Sequence, residues 1–395
     1  MKESFNSKTI LILTPSLSGG GAERLAANLS LELSKNHSVI VATFENVDKE
    51  YPYGGKRINL DIGGGNVSIV RKIINALKRI HKIKKIKTEF NVDYSISFLP
   101  QTDYVNVLSK KKRTKAIVDV VSNMSFVYPR GISRIFREKI LKKADHVVTV
   151  SEGARQDLIQ NFNVDPLRAT TIYNSCDVSF IKKACCENNS FLCPDRFIVT
   201  MGSFRHPKGH WHLLKAYSCI LKKDPSIKLI ILGDGDYRKK YLELMENLGI
   251  PESSVIMPGF LRNPFTTIAK AELFVFSSVF EGFGNAIIEA MACGVPVLST
   301  DCDFGPREIL APGTDLLKKA NSLENVEFGY LVPPFDMSDI DVSSIINSDE
   351  EAFGDSILRA LSNDNSSLIQ KGLSRCEDFD NKGYGKKWLE TIEKI

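Results

Sequence analysis

Two glutamates flank a Gly-Phe-Gly turn in residues 280–302, FEGFGNAIIEAMACGVPVLSTDC. The turn follows a strand-like run, VFSSV, and precedes a short helical stretch and a second strand, PVLST. At a strand-to-helix turn the first helical N–H groups lack internal partners. The helix dipole adds partial positive charge there, and glycine lets a bulky anion approach the backbone. Phosphate suits such a turn, so Gly282, Phe283, Gly284 and Asn285 read as a diphosphate seat. The string is neither a Walker loop nor GxGxxG, and taken alone it also fits a merely structural tight turn. The glutamates add a second chemistry. A carboxylate repels phosphate but accepts hydrogen bonds from hydroxyls, which sugars offer in pairs. Glu281, before the turn, suits the hydroxyls of one sugar, and Glu289, farther into the helix, those of a ribose. Sugar, diphosphate and ribose in a row describe a nucleotide sugar.

Such a turn needs a sheet to hold it. TILILTP (9–15), HSVIVATF (37–44), DYSISFL (93–99), KAIVDVV (115–121) and HVVTVS (146–151) are short β-rich runs with helical stretches between them. Residues 68–88 place Ile69, Ile73, Leu77 and Ile80 at helical spacing. ACCENNSFLCPD (184–195) interrupts the rhythm as a linker, and a second series begins at RFIVTMGS (196–203). It continues through KLIILG, SVIMPGF, LFVFSSV and GYLVP, with helices at 210–223 and 237–249 between them. After about residue 350 the chain reads as helical. This alternation predicts α/β architecture with parallel sheets covered on both faces. The 395 residues exceed one ordinary core. We expect a domain over 1–190, a second over 191–370, and a helical segment over 371–395 packing back on the first. Two doubly wound domains place a cleft between them, and ligands bind outside the carboxyl ends of the strands.

EGFGNAIIE, a glutamate, seven residues and a glutamate, followed by AMACGVPVLST, resembles the signature of retaining GT-B glycosyltransferases of family 4, or group 1. MGSFRHPKGHWHLLKAY, KLIILGDGDYRKKYLELMENLGI, MPGFLRNPF and LFVFSSVFEGFGN fall in that family's order. DCDFGPREIL resembles a subgroup common in capsule and O-antigen clusters, and SGGGAERLAANLSLEL (18–33) the family's first Gly-rich loop and helix. The resemblance implies a GT-B fold, two Rossmann-like domains facing a cleft, with the donor on the C-terminal domain and the acceptor on the N-terminal one. It puts Glu281 at the donor sugar, Glu289 at the ribose, and the amides of Phe283, Gly284 and Asn285, beside Gly282, at the diphosphate. Lys208 matches the lysine that neutralises the leaving diphosphate. The family's arginine five residues before it is Ser203 here, and Arg205 is the nearest substitute. Phe260 and Leu261 lie in the stretch that reads the base, Gly259–Arg262, and uracil follows from the likeness alone. Gly20 and Gly21 line the cleft from the N-terminal side.

A departure concerns the acceptor. Many relatives carry a histidine near the end of a strand like KAIVDVVSN, where this chain has Ser122, Asn123 and Met124. Asp119 is the acid nearest that point, so Asp119 and Asn123 stand as acceptor-side candidates. Departure of a nucleoside diphosphate builds negative charge that Lys208 and the helix amides stabilise in a dry cleft. The anomeric carbon becomes oxocarbenium-like. Same-face attack, with the leaving phosphate taking the acceptor's proton, and a covalent intermediate both account for retention. Neither requires a metal or other cofactor in this fold. Asp234-Gly235-Asp236 and Asp301-Cys302-Asp303 match the DxD string of metal-dependent glycosyltransferases. The first reads as turn and cap residues, the second as a loop.

Charge is uneven. Residues 1–190 hold 30 Lys and Arg against 18 Asp and Glu, and the remainder 22 against 29. RKIINALKRIHKIKKIK (71–87) carries eight Lys and Arg and no acid. With Ile and Leu along one face it resembles an interfacial membrane helix; it also fits a helix whose apolar face packs on the sheet while its basic face adsorbs to anionic lipid. A basic acceptor domain suits a polyprenyl-diphosphate-linked saccharide at the inner face of the cytoplasmic membrane. No nucleic-acid motif accompanies the charge. No apolar run approaches the length of a membrane span, and the polar start argues against a secretory signal. The eight cysteines form no CxxC pair and fit free thiols in a reducing cytosol. The reading is a retaining transferase that uses a nucleotide sugar, with UDP as its base carrier, to extend a lipid-linked surface polysaccharide. A sugar-nucleotide epimerase of the same fold and a catalytically silent sugar-nucleotide-binding subunit are the alternatives.

Overall fold

A computed structural model of the chain describes residues 7–63, 65, 68–187 and 192–395. It divides into two compact units, residues 1–175 with 381–395, and residues 176–380. The division falls at 175/176, whereas the expected break at 190 lies within residues 188–191, outside the described residues. The reason is local. The helix Val178–Ala184 belongs to the second unit, where Asn263 Nδ2 donates to Ala184 O at 2.9 Å and the Phe180 ring stands edge-on to Phe265. Residues 371–380 also stay with the second unit, since Arg375 donates to the carbonyls of Ile309 and Glu308.

Among the described residues the first unit has seven strands: β1 (Thr9–Thr14), β2 (Ser38–Thr43), β3 (Lys56–Asn59), β4 (Tyr94–Phe98), β5 (Lys115–Val120), β6 (His146–Thr149) and β7 (Ala169–Thr171). They lie in the order β3-β2-β1-β4-β5-β6-β7, all parallel. Side chains alternate across a strand, so Ile10 and Ile12 enter one core and Leu11 and Leu13 another. A parallel sheet buried on both faces is why TILILT reads as continuous hydrophobic sequence. The helices Gly21–Leu33 and Asn381–Lys394 cover the Ile10 face, where Trp388 is fully buried. The helices Ile69–Glu89, Pro100–Leu108 and Ile132–Lys143 lie side by side over the other face.

The helix Ile69–Glu89 corrects one expectation. Its apolar face does not stay in the core along its length: Ile83 and Ile86 are buried, whereas Ile69, Ile73 and Leu77 are exposed.

The second unit repeats the plan with β8 (Phe197–Met201), β9 (Lys228–Leu232), β10 (Val255–Gly259), β11 (Leu273–Phe276), β12 (Val297–Thr300), β13 (Glu324–Val326) and β14 (Gly329–Val332). The order is β10-β9-β8-β11-β12-β14-β13, with β13 alone antiparallel. The chain turns back between β8 and β11, which are hydrogen-bonded neighbours. Their carboxyl ends therefore open the crevice in which such sheets bind ligands.

Candidate active site

Strand order brings Lys208 and Glu281 together. The loop after β8 ends in a 3₁₀ turn, His206–Lys208, and the loop after β11 leads into Glu281. The two are stitched: Val279 N–H donates to Pro207 O at 2.9 Å, and Ser277 Oγ to Lys208 O at 3.0 Å. Gly209 closes the turn at φ +57°, and a Cβ there would meet Ser277 O at 2.1 Å, so only glycine permits the approach. Lys208 then extends along Gly202 and donates Nζ–H to Glu281 Oε1 at 2.6 Å. Ser278 Oγ donates to the same oxygen at 2.7 Å. Thr300 Oγ1 fixes Ser278 in turn through its carbonyl at 2.6 Å.

Beyond Glu281, Gly284 takes φ +100° as the N-cap of the helix Asn285–Ala292, and no side chain caps that helix start. Phe283 is buried, its ring edge-on to Phe379, so its side chain is core and its backbone belongs to the turn. Glu289 lies one turn into the helix and is partly exposed. Arg205 is exposed, with no side-chain ion pair among the described residues, and Ser203 is exposed beside it. Phe204 between them is fully buried against Tyr241, so the alternation turns Ser203 and Arg205 outward. Phe260 is 86% exposed after β10, and Leu261 is half-buried. Its strand end is tied to the same edge: Gly233 N–H donates to Gly259 O, and a Cβ on Gly233 would meet Gly202 O at 2.1 Å.

The loop after β12 braces the turn, which spacing alone did not reveal. Glu281 N–H donates to Asp303 O at 2.5 Å, and Phe304 N–H returns a bond to Glu281 O at 3.2 Å. A Cβ on Gly305 would lie 1.8 Å from Phe283 O. Asp301 is fully buried and accepts from Arg307 Nε at 3.0 Å and Ala320 N–H at 2.7 Å. Asp303 pairs with Lys319. Asp234 Oδ1 accepts from Gly235 N–H at 2.9 Å, a turn contact. Asp234, Asp301 and Asp303 thus each hold a loop contact, and Asp236 is exposed.

In the first unit, Gly20 is the N-cap of the helix Gly21–Leu33, after β1 and the positive-φ Gly19. Glu23 folds back toward Gly20, where a Cβ would meet Glu23 Oε2 at 2.5 Å, and burial raises its carboxyl above the usual range. Glu23 stands two residues after the glycine run 19–21, a spacing that was the available signal in the sequence. Asp119 and Asn123, the acceptor-side candidates, are both buried. Asp119 is fully buried on the face of β5 under the C-terminal helix, with Tyr384 as a titratable neighbour. Burial first, then the charge of Asp103, pushes its carboxyl well above the carboxylate range. Asn123 is buried and caps the short helix Met124–Val127 by accepting from Phe126 N–H at 3.0 Å.

Two Rossmann-like units, one with a lysine, a glutamate and a glycine turn at its switch point, define a GT-B protein. Residues 189–331 match the family model described as glycosyl transferases group 1, and residues 19–180 that of glycosyltransferase family 4. A Campylobacter jejuni enzyme, N-acetylgalactosamine-N,N'-diacetylbacillosaminyl-diphospho-undecaprenol 4-alpha-N-acetylgalactosaminyltransferase, is 30% identical over 80% of this chain and 84% of its own. A second from that organism, a GalNAc-alpha-(1->4)-GalNAc-alpha-(1->3)-diNAcBac-PP-undecaprenol alpha-1,4-N-acetyl-D-galactosaminyltransferase, is 23% identical over 98% of both chains. The Anabaena HepE structure in complex with UDP and glucose superposes with a TM-score of 0.73 at 17% identity, over 98% of this chain and 99% of that one. The chain belongs to the group 1, family 4 glycosyltransferases and is a transferase.

Proposed function

We propose that the protein moves a hexosyl or N-acetylhexosaminyl group, with retention, from a UDP-sugar to a polyprenyl-diphosphate-linked saccharide in surface polysaccharide synthesis. The observation that carries this reading is the Lys208–Glu281 pair, 2.6 Å apart beside the Gly284 turn. A cation, a hydroxyl-accepting carboxylate and a helix start stand in the order that a diphosphate and its sugar require. The two C. jejuni relatives are named for undecaprenol-linked acceptors, and HepE was solved with UDP, which supports the acceptor and base carrier chosen here.

In the proposed reaction the donor's diphosphate displaces Glu281 from Lys208. The freed carboxylate accepts from the sugar's hydroxyls, Glu289 from the ribose, and Phe260 with Leu261 meets the base. The anomeric C–O bond to phosphate breaks as Lys208, Arg205 and the turn amides take up the charge. The acceptor oxygen bonds the anomeric carbon from the same face, and its proton passes to the leaving phosphate. No metal takes part. The acceptor's polyprenyl tail confines the work to a membrane surface, inside the cell, with the chain bound peripherally; no described helix is long and apolar enough to cross a membrane.

Nucleotide release from a panel of UDP-, GDP- and ADP-sugars, with and without lipid-linked acceptor in saturating EDTA, tests the proposal. Acceptor-dependent release of UDP is expected. Release only after divalent metal is restored overturns the metal-free step, and acceptor-independent turnover with epimerised donor overturns transfer.

A further inference from the structure

The Ala-Cys-Cys string at 184–186 has no part in the site described above. Cys185 caps the carboxyl end of the helix Val178–Ala184, and Cys293 caps that of the helix Asn285–Ala292. The two helices pack together within the second unit, and the side chains of Cys185 and Cys293 hydrogen-bond to each other. Both residues are half-buried, within reach of solvent, whereas Cys302 and Cys376 are buried. Backbone contacts hold each in place. Cys185 N–H donates to Ile181 O at 2.9 Å, and Asn263 Nδ2 donates to the adjoining carbonyl of Ala184 at 2.9 Å. Cys293 N–H is shared between the carbonyls of Glu289 and Ala290, both at 3.1 Å. Residues four apart share a helix face, so the thiol pair stands one turn behind Glu289. A thiol must ionise to attack. The hydrogen bond with Cys293 lowers the Cys185 thiol below its ordinary value, and the same bond, then burial, raises Cys293. One sulfur is prepared as the nucleophile while the other keeps its proton. Among the described residues no three His, Cys, Asp or Glu side chains converge to hold a metal, so redox chemistry is what the pair offers.

We infer that Cys185 and Cys293 form a reversible disulfide by exchange with a low-molecular-weight disulfide, and that this bond lowers donor affinity by pulling on the helix behind the glycine turn. The Cys185 thiolate attacks one sulfur of the small disulfide and expels the other half as a thiolate. That thiolate takes the proton of Cys293. The Cys293 sulfur then attacks Cys185 and expels the second half, which takes from water the proton that Cys185 gave up. Two protein thiols become one disulfide and one small disulfide becomes two thiols, so two electrons pass from the protein to the small molecule. Such a bond is transient in a reducing cytosol, which suits a sensor rather than a structural staple. Hydrogen-bonded sulfurs stand farther apart than bonded ones, so closure draws the carboxyl end of the helix Asn285–Ala292 toward Cys185. The movement reaches Glu289 through the Cys293 N–H bond, and the Gly284 turn along a helix only eight residues long. The coupling rests on the donor site proposed above; the disulfide itself does not.

The test equilibrates the full chain in buffers of reduced and oxidised glutathione and maps the bonds formed by peptide mass spectrometry. A bond between Cys185 and Cys293 is expected, absent in Cys185→Ser and in Cys293→Ser and kept in Cys186→Ser. Cys185→Ser alone decides the matter should Cys293→Ser fold poorly. UDP affinity, measured by calorimetry, should fall about fivefold or more on oxidation and not respond to oxidant in Cys185→Ser. Coupling between two binding equilibria is reciprocal. Saturating UDP should therefore raise, by the same factor, the ratio of oxidised glutathione to the square of reduced glutathione at half-oxidation. No bond between the two in oxidising buffer, or a bond to Cys176 or Cys186 in its place, overturns the pair. A bond that changes neither UDP affinity nor the midpoint overturns the coupling. Loss of affinity that persists in oxidised Cys185→Ser assigns the effect to another thiol and equally overturns it. If the reduced chain binds no UDP, the proposed function fails, while the mapped bond still decides the disulfide.

Discussion

At the scale of single residues, the site is held in a self-neutralised state. Lys208 and Ser278 both donate to one oxygen of Glu281, which fixes the carboxylate's orientation. Glu281→Gln keeps an acceptor oxygen there but removes the charge competing for Lys208. Affinity for free UDP should rise by roughly fivefold, the order of a partly exposed ion pair. Transfer should fall by about 10²-fold or more, because the charge at the reacting sugar is lost. Isothermal calorimetry and donor turnover measure the two, and a fall in both would show that the pair does not compete with the diphosphate. Asp119 calls for the opposite result. Its folded-state carboxyl is raised by burial and by Asp103. A raised acid stabilises the fold fully below its unfolded pKa and loses that contribution as pH rises toward the folded value. Asp119→Asn mimics the protonated form, so the variant should match the parent near pH 3.5 to 4 and exceed its stability at pH 7. Denaturation at the two pH values checks the sign. Transfer should remain within a few-fold, since the side chain lies under the C-terminal helix.

At the scale of elements, the glycine turn after Glu281 is braced by the backbone of the loop after β12. Asp303 and Phe304 bond to Glu281 through the backbone, and Gly305 lies against Phe283 O. Gly305→Ala should therefore displace the turn, while Gly313→Ala, also at positive φ but with nothing within 4 Å of the new Cβ, carries backbone strain alone. The Michaelis constant for donor should rise about tenfold or more in the first and little in the second, although both lose about 1 kcal/mol or more of stability. Equal effects would mean that strain, not displacement, is what matters. This brace was illegible in the sequence because it depends on β11 and β12 being neighbours, a fact of topology rather than spacing. The turn itself was legible, because glycine, phosphate and helix start are linked over a few residues. Long buried strands such as β1 and β8 were legible for a related reason, since burial on both faces leaves unbroken apolar runs. The edge strands β3, β7 and β13, three or four residues each and partly polar, carry no such run. Periodicity identified the stripe from Ile69 to Ile80 but not its surroundings. A period shows that a face exists, and only packing shows what covers it.

At the scale of the molecule, the two units differ in how the chain completes them. The second is one continuous segment with its own core around Trp211, Tyr217 and Phe353. The first is discontinuous: residues 381–395 return to it and put Tyr384, Trp388 and Ile392 into the core that holds Ile10, Ile12 and Leu29. A Cβ on Gly385 would meet Glu32 Cβ at 2.8 Å, so the returning helix lies close on the helix Gly21–Leu33. Trp388 packs against Phe98, which is the register partner of Asp119. Removing 381–395 should thus unfold or loosen the first unit without touching a residue of the second. Trp388→Ala, a milder change, should destabilise the first unit by about 3–5 kcal/mol through the cavity it leaves. UDP binding by the second unit should survive either change, and saturating UDP should raise only that unit's melting transition, by about 2.7 kcal/mol of stability at a hundred times Kd. Scanning calorimetry with and without UDP separates the transitions. If Trp388→Ala abolished UDP binding, the units would be coupled in folding and the donor site would depend on the core of the first. If it spared binding but ended transfer, donor capture and acceptor use would be tied to separate cores, the last fifteen residues serving the first.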